Sequence, residues 1–544
     1  MTSRTPPFIR QRKKSLPELP IKTPIALSDC SNGEFYVEQT PLQRRIHDEI
    51  LRRADDKARR AGMDRRAFLA STMGMATSLS VLNLASGCGD DNGLTRDARG
   101  EPTGHDGGFV VSDDATLNAQ CADEVLAGDE LIVDAHTHLI EDEATWRDRH
   151  PMGRYEPDEL AQQLTFYDCA PLMLERPGDC LDPKQYLDQV FLNSDTSVAV
   201  LTGYPSELCD DGTLCTNYMG NHDRVRTRDA FNVAARSERV IQHCQAAPND
   251  NWPKQREMMH SISEQYGNWG WKVYPPFGPQ GVGFWLDDDA LTAPLYDEIR
   301  ALAKRQRELG RGLGRPVVCA HKGVTLAGLG FDEETADPKD VGPAARRHPD
   351  LTFLVYHSAY DVQHVEGPYD PAQDHPRGVD RLIRTVEEHG LRDKNVYAEL
   401  GVAWALAMGN PRGAQHLIGK LLKHLGEDRV LFGSECLWFG SPQPQIEALR
   451  ALEISQELQA THGYPALTPA IKAKILGLSA AGVYGLDPHA VRCQVDASQL
   501  AQLKRARDSE LGARRWVYQP ARGPRSRREF LRLLRLRRFQ QVPV

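Results

Sequence analysis

Short runs of β-branched and apolar residues recur along the chain between residues 131 and 435, with helical stretches between them. The runs read LIVDAH, SVAVLTG, RVIQHC, GWKVYP, PVVCAH, LTFLVYH, NVYAEL and RVLFGSE. Segments such as LYDEIRALAKRQREL and VDRLIRTVEEHG separate them and have the periodicity of amphipathic helices. Alternation of strand and helix implies parallel strands joined by crossovers. Eight such units predict an α/β fold, a (β/α)8 or TIM barrel.

The predicted barrel is longer than usual. It extends from about residue 131 to residue 487, whereas a typical barrel of this kind has roughly 250 residues. Most of the surplus follows the first strand, where residues 140–183 are rich in proline, aspartate and aromatic residues. Because barrel enzymes keep their chemistry at the carboxyl ends of the strands, we predict that this segment is a long loop insertion over the mouth.

The remaining chain divides by composition. Residues 1–88 form an amino-terminal extension that includes a possible signal, and a polar linker rich in glycine and aspartate follows at 89–125. The barrel occupies 126–490 and a basic tail occupies 491–544. The tail interleaves leucine and phenylalanine with arginine, so we expect a disordered or interacting segment, with a membrane-surface helix as the alternative.

Polar side chains stand where five of the predicted strands end. The first strand ends in two histidines two residues apart, and since residues i and i+2 of a strand share a face, the two imidazoles project side by side. The carboxyl ends of all strands in a barrel converge on one region, so we expect these side chains to meet. They are His136 and His138 after strand one, Lys272 on strand four, His321 on strand five, His357 on strand six and Glu435 after strand eight.

The residue types in this set are those of a metal site. Imidazole nitrogens and carboxylate oxygens bind zinc and related divalent ions, and a catalytic site keeps one position open for water. A single histidine at a strand end is more often a structural residue. Four histidines at three strand ends, in the order that a barrel requires, predict a divalent metal, zinc or alternatively manganese.

With these motifs the chain resembles the amidohydrolase superfamily, most closely its amidohydrolase-related branch of metal-dependent hydrolases and nonoxidative decarboxylases. The resemblance covers the whole barrel and rests on VDAHTH, WKVYPP, CAHKG, LVYHSAY, LFGSE and the closing KAKILGLSAAGVYGLD. In relatives the strand-one pair and the strand-five histidine hold a metal, and the strand-six histidine is a ligand or an acid/base. The matching positions are His136, His138, His321 and His357.

Two positions leave alternatives open. Lys272 resembles a strand-four lysine that some relatives carboxylate to bridge two metals, whereas the amidohydrolase-related branch often has a lysine there with one metal. Lys272 is otherwise an ammonium that pairs with a carboxylate or a substrate anion. Glu435 departs from the family pattern, which has aspartate at this position. Its extra methylene leaves three outcomes open: an altered substrate class, weaker activity, or binding without catalysis.

The implied reaction is hydrolysis of an amide, lactone or ester bond in a small molecule. The metal lowers the pKa of water, Glu435 acts as the general base, and His357 polarises the carbonyl or binds the metal. One alternative is a nonoxidative decarboxylase, a lyase that acts on an aromatic or enoic acid. A second alternative is a catalytically drifted barrel that binds a metal or ligand.

An export signal is predicted before the linker, in MDRRAFLASTMGMATSLSVLNLASGC. Arg65 and Arg66 resemble a twin-arginine motif, and the apolar stretch behind them is too short and polar to span a membrane stably. LASGC resembles a lipoprotein cleavage box that would lipidate Cys88. The alternative is that the arginines belong to a basic helix that begins upstream, and Met63 is a second candidate start of translation.

The predicted signal determines the expected partners and location. We expect export through the twin-arginine machinery, and a periplasmic protein that is either released or anchored through lipidated Cys88 to a membrane facing the periplasm. The formal charge of −9 gives no general attraction for nucleic acid, and export argues against such a partner for the basic tail. The remaining partners are a small-molecule substrate and, left open, a second copy in a homo-oligomer.

Overall fold

A computed structural model of the chain describes five main stretches. These are residues 39–86, 107–139, 183–203, 220–324 and 332–511, with the short pieces 23–25, 27, 30–31, 36–37, 94–96 and 102–105. Several parts of the predictions lie outside the described residues, among them residues 140–182 of the predicted mouth loop, Cys88, parts of the predicted linker before residue 107, and residues 512–544 of the predicted tail.

Eight parallel strands form one sheet in chain order, and this sheet curls into a nearly closed barrel. Ala135 N donates to Phe432 O at 2.9 Å and Glu435 N donates to His136 O at 2.8 Å, which joins the last strand to the first. The predicted TIM-barrel fold is therefore confirmed. The strands are β1 Val133–Thr137, β2 Val198–Leu201, β3 Val240–Gln245, β4 Gly270–Val273, β5 Val317–His321, β6 Thr352–Tyr356, β7 Val396–Glu399 and β8 Val430–Leu431.

Helices precede the barrel, connect its strands and follow its last strand. Before β1 lie α1 Pro41–Arg60, α2 Arg65–Leu69, α3 Thr72–Ser86 and α4 Ala119–Leu126. Between the strands lie α5 Pro183–Tyr186, α6 Asn221–Ala235, α7 Trp252–Gln265, α8 Asp289–Leu309, α9 Val341–Arg347, α10 Gly378–Glu388, α11 Gly401–Ala407 and α12 Pro411–Leu425. After β8 lie α13 Gln443–Ala451, α14 Gln456–His462, α15 Pro469–Ala473, α16 Ser479–Tyr484, α17 Pro488–Ala497 and α18 Gln499–Leu511.

The strands are buried along nearly their whole length. Helices cover the outer face of the sheet and side chains fill the inside of the barrel, so neither face of a strand meets water. This two-sided burial explains why the strand sequences read as continuous apolar runs rather than as alternating apolar and polar residues. Polar residues at the strand ends therefore have no solvent to face and must find partners at the rim of the barrel.

The apolar segment of the predicted signal forms α3, and residues 72–83 of this helix are all buried. Arg65 and Arg66 begin α2 and are partly buried. No described helix is both long and apolar enough to span a membrane. Export, lipidation and periplasmic location stay predictions, because nothing among the described residues tests them.

The described part of the predicted linker is folded, which corrects the expectation for residues 107–125. Gly108–Phe109 pairs antiparallel with Leu452–Glu453, and α4 buries Ala122 and Leu126. The few apolar residues of this segment pack against the barrel, and this packing outweighs its polar composition. The folded part therefore begins before the predicted boundary at residue 126.

Arg450 on α13 is a buried cation that joins three segments. Its guanidinium donates to Leu126 O at 2.9 Å, to Glu130 Oε2 at 2.9 Å and to Asp195 Oδ2 at 2.8 Å. Gln443 Nε2 donates to the same Asp195 oxygen at 3.1 Å. Burial alone would raise the pKa of Asp195, but the charge of Arg450 and these hydrogen bonds hold it below its ordinary value of 3.8. The network ties the segments around β1 to the helix that follows β8.

Asp195→Asn tests this network. At pH 7 we expect the free energy of unfolding to fall by about 1–3 kcal/mol, because the charged partner of Arg450 is lost. The folded-state pKa of Asp195 lies below its unfolded value, so its contribution is complete above the unfolded pKa and disappears as pH falls through the folded one. Urea titrations should show the difference from wild type shrinking below about pH 4. If the free energies of unfolding of wild type and variant differ as much in acid as at pH 7, this role of Asp195 is contradicted.

Candidate metal centre

The carboxyl ends of the first, sixth, seventh and eighth strands bring a group of polar side chains to one rim of the barrel. All of them are buried, with exposed fractions of 1% for His136, 3% for His138, 1% for His357, 0% for Glu399 and 3% for Glu435. Parallel strands end at the same rim, so residues far apart in the chain meet there. Such burial of titratable groups requires mutual partners or a bound ion.

His136 and His138 direct ring nitrogens toward each other, with their Nε2 atoms 2.8 Å apart. A carboxylate oxygen of Glu435 joins them, and the three candidate ligand atoms lie within 4.8 Å of one another. Two imidazole nitrogens and a carboxylate oxygen are a donor set for zinc. The structure thus brings three of the sequence-predicted residues together and places Glu435 among the candidate ligands.

Glu399 at the end of β7 is a site residue that the sequence analysis missed. Its Oε2 atom lies 3.2 Å from His136 Nδ1 and accepts a hydrogen bond from His357 N at 3.0 Å. Histidines that bind metals usually donate their second ring N–H to a carboxylate or carbonyl, which fixes the tautomer and the ring orientation. Glu399 therefore positions His136 with Nε2 toward His138. The available signal was a carboxylate in the last position of a predicted barrel strand.

Two glycines make room for the Glu399 carboxylate. A Cβ atom at Gly433 would lie 1.7 Å from Glu399 Oε1, and a Cβ atom at Gly401 would lie 2.9 Å from Glu399 Oε2. Gly401 also has a φ of 34°, which side chains rarely adopt. These contacts explain why glycine follows β7 and β8 at these points, since any larger residue would displace the carboxylate.

The backbone at the rim takes left-handed conformations at residues other than glycine. The φ angles are 58° at His357, 51° at Ser358, 58° at Ala359 and 57° at Glu435. Such residues are uncommon, and the surrounding structure must hold them. Ser358 Oγ donates to Glu399 O at 2.8 Å, and Glu435 N donates to His136 O at 2.8 Å. The strained turns aim His357 and Glu435 into the group.

Asp134 connects the first strand to the loop that carries Glu435. Its Oδ1 accepts hydrogen bonds from His136 N at 3.2 Å and Ser434 N at 2.9 Å, and Oδ2 accepts one from Ser434 Oγ at 2.5 Å. One buried carboxylate thus fixes the backbone beside a predicted ligand on each side of the barrel seam. The aspartate of VDAHTH is a positioning residue in this arrangement.

Lys272 and His321 lie beside the group. Among the described residues, two sets of three close His, Cys, Asp or Glu ligand atoms occur, namely His136 with His138 and Glu435, and His136 with His357 and Glu399, and His321 belongs to neither. Lys272 Nζ packs 3.1 Å from the centre of the Tyr356 ring. His321 lies 2.8 Å from Val324 O through Nε2, and its ring stacks on Tyr274. Its ring centre is 5.0 Å from that of His357. Metal binding by Lys272 and His321 stays a prediction.

The electrostatics of the group fit a divalent cation. Burial lowers the pKa of His136, His138, His321 and His357, and the positive charge of Lys272 adds to this effect in each case. Neutral imidazoles have lone pairs to offer a metal. Burial raises the pKa of Glu399 to about 8. A dication at His136 would compensate this buried carboxylate and that of Glu435, so the residues present fit the predicted metal.

A family model described as amidohydrolase matches residues 228–486. The match covers β3 to β8 and ends after α16, so it does not include the strand-one histidines. No curated protein matches the chain. Over this range the sequence is similar to the amidohydrolase family.

Solved structures with the same architecture are similar to the chain at low sequence identity. An uncharacterised TIM-barrel protein of Bordetella bronchiseptica is 15% identical, with 67% of this chain and 99% of that one covered and a TM-score of 0.38. A 5-carboxyvanillate decarboxylase of Sphingomonas paucimobilis is 12% identical, with 66% and 100% covered and a TM-score of 0.40. A probable 2-pyrone-4,6-dicarboxylic acid hydrolase of Acinetobacter baumannii is 10% identical, with 65% and 99% covered and a TM-score of 0.37.

Glu399→Gln tests the positioning of His136. The amide keeps the shape of the side chain but loses the charge, so we expect zinc affinity to fall roughly 10- to 100-fold. Competition with a chromophoric chelator measures the dissociation constant. Glu298→Gln is the matched control, because Glu298 is a buried carboxylate on α8 that pairs with Arg256 outside the group. Equal zinc affinity in the two variants would contradict the role of Glu399.

Proposed function

We propose that this chain is a metal-dependent hydrolase of the amidohydrolase family, which cleaves an amide, lactone or ester bond of a small molecule. The observation that carries the proposal is the convergence of His136, His138 and Glu435 on one point, with Glu399 behind His136. The family-model match over residues 228–486 supports it.

His136, His138 and Glu435 would hold the metal. Zinc is the ion that two imidazoles and a carboxylate favour, and manganese is the second candidate. When bound, such an ion lowers the pKa of water and polarises an oxygen of the substrate. Such an ion acts most strongly where water is excluded and the surrounding groups are already in position. The burial of all three side chains provides this environment.

Glu435 is the general base in this proposal. Its carboxylate takes a proton from the attacking water while the water oxygen forms a bond to the carbonyl carbon. The proton then passes to the leaving nitrogen or oxygen as its bond to that carbon breaks. The hydrogen bond from Glu435 N to His136 O holds this residue against the histidine pair, so its position does not depend on side-chain packing alone.

His357 acts beside Glu435, with its Nδ1 atom 3.9 Å from Glu435 Oε2. Val402 N donates to the same Nδ1 atom at 3.4 Å. A neutral imidazole that accepts at Nδ1 carries its proton on Nε2. His357 is therefore assigned the role of a hydrogen-bond donor to the carbonyl oxygen, which develops negative charge as water adds.

Decarboxylation of a carboxylic acid is the second candidate, and the charges near His138 favour it. Burial is the main cause that lowers the pKa of His138, and the positive charges of Lys272 and Arg224 lower it further. Both cations are buried, with 0% of their surface exposed. A carboxylate in this region would be attracted by both cations, and a decarboxylase requires an acidic substrate whereas a hydrolase does not.

Metal content tests the proposal first. We expect the full chain, incubated with zinc and desalted, to hold about one ion, because the two sets of close ligand atoms among the described residues, His136 with His138 and Glu435 and His136 with His357 and Glu399, share His136. The double variant His136→Ala, His138→Ala should hold none. The double variant His416→Ala, His462→Ala is the matched control, because these two rings lie 5.5 Å apart on the outer helices. We expect it to hold as much metal as the wild type. About two ions per chain would favour a bridge through Lys272, and an absence of bound metal in the wild type would contradict the proposal.

The reaction type is tested with the metal-loaded chain and a panel of lactones, esters, amides and aromatic acids in ¹⁸O-labelled water. Hydrolysis places one labelled oxygen in the acid product. Decarboxylation releases carbon dioxide and leaves the remaining product unlabelled. Release of carbon dioxide without hydrolysis would establish the second candidate, and metal binding without turnover would identify a binding barrel.

A further inference from the structure

The helix α3 is buried on all sides rather than along one stripe. Residues 72–83 of it are buried although the segment TMGMATSLSVLN mixes apolar residues with serine, threonine and asparagine. A helix that is apolar all round is typical of a protein core or a membrane segment. Its polar side chains are satisfied within the fold, since Thr77 Oγ1 donates to Met73 O at 2.8 Å and Ser78 Oγ donates to Gly74 O at 2.9 Å.

The inner partners of α3 are the last two large helices around the barrel. An outer barrel helix ordinarily exposes one face. Here twelve of the fifteen residues of α12 and eight of the nine residues of α13 are buried. The helix α3 packs against both of them. Both helices are therefore covered on more of their surface than an outer barrel helix ordinarily is.

One side chain of α3 makes a specific attachment to the barrel domain. Asn83 Nδ2 donates to Phe109 O at 2.5 Å, and Asn83 Oδ1 accepts from Phe109 N at 2.9 Å. The amide thus pairs with both backbone groups of a residue in the short strand Gly108–Phe109, as a neighbouring strand would. Such a two-point contact fixes the position of the helix and does not arise from apolar packing alone.

The helix α1 covers α3 from the other side. It is amphipathic, and its buried residues Ile46, Ile50, Ala54 and Ala58 recur at helical spacing. Thr40 and Gln43 form a capping box that begins it. Lys57 Nζ, in its last turn, donates to Thr116 Oγ1 beyond α3. Residues 41–86 thus form two layers, an inner helix against the barrel and an outer helix that faces water.

We propose that residues 41–86 stay on the folded enzyme as a permanent cover of α12 and α13, and are not removed as a leader. Phe68 and Leu69, which directly follow the arginine pair and one alanine, are 0% exposed and belong to the same apolar core. Removal of the segment would expose the surfaces of α12 and α13 that α3 covers and would leave the backbone groups of Phe109 without Asn83. In this proposal the arginine pair begins α2, the short helix between α1 and α3, and is not part of an export signal.

Two substitutions on α3, each of which introduces a charge, distinguish a helix that stays on the folded protein from a leader that is removed. Leu79 is 0% exposed and Leu84 is 41% exposed, and both lie in the same apolar stretch. Leu79→Asp and Leu84→Asp change the hydropathy and charge of that stretch equally, so a leader would respond to both alike. We expect the midpoint of thermal unfolding of the full chain to fall by roughly 5 °C or more for Leu79→Asp and to change little for Leu84→Asp. Equal midpoints in the two variants would overturn the proposal.

The mass of the wild-type protein gives an independent test that needs no variant. The full chain is expressed in a bacterium that has twin-arginine export and lipoprotein processing, and the purified protein is measured by intact mass spectrometry. We expect residues 41–86 to be present in the folded product. A product that begins at or after residue 87 would overturn the proposal even if Leu79→Asp fails to fold.

Discussion

His136 connects the closure of the barrel with the candidate metal centre. On one side its Nδ1 atom faces Glu399 of the seventh strand at 3.2 Å, and on the other its Nε2 atom faces His138 at 2.8 Å. Its backbone oxygen accepts from Glu435 N across the seam between the last strand and the first. If the seam were to open, the candidate ligands would separate. The same hydrogen bonds that close the barrel therefore assemble the candidate metal centre.

The sequence predicts the parts of this arrangement that depend on strand periodicity. Continuous apolar runs identify the eight strands, and the i, i+2 spacing of His136 and His138 places both imidazoles on one face. Glu399 is not predicted in this way, because the sequence does not distinguish a carboxylate at a strand end that lies on the surface from one that lies in a site. The positions of Lys272 and His321 are not predicted either, since ring stacking and backbone contacts at the rim decide where these side chains point.

The amino-terminal segment shows a different ambiguity. An apolar stretch that is diluted by serine and threonine has the composition of an export signal and also that of a helix buried on all sides. Hydropathy does not distinguish these two structures, whereas the contacts of the helix with the rest of the fold do. The helix α3 packs against α12 and α13, far along the chain, and Asn83 pairs with the Phe109 backbone. Sequence patterns within one segment do not contain such long-range contacts.

The candidate metal centre is tested most directly by a crystal of the full chain grown with zinc and measured at the zinc absorption edge. We predict an anomalous peak in contact with His136 Nε2, His138 Nε2 and a carboxylate oxygen of Glu435, with His136 Nδ1 still facing Glu399. A peak elsewhere in the molecule, or a zinc-bound His136 that has turned away from Glu399, would contradict this prediction.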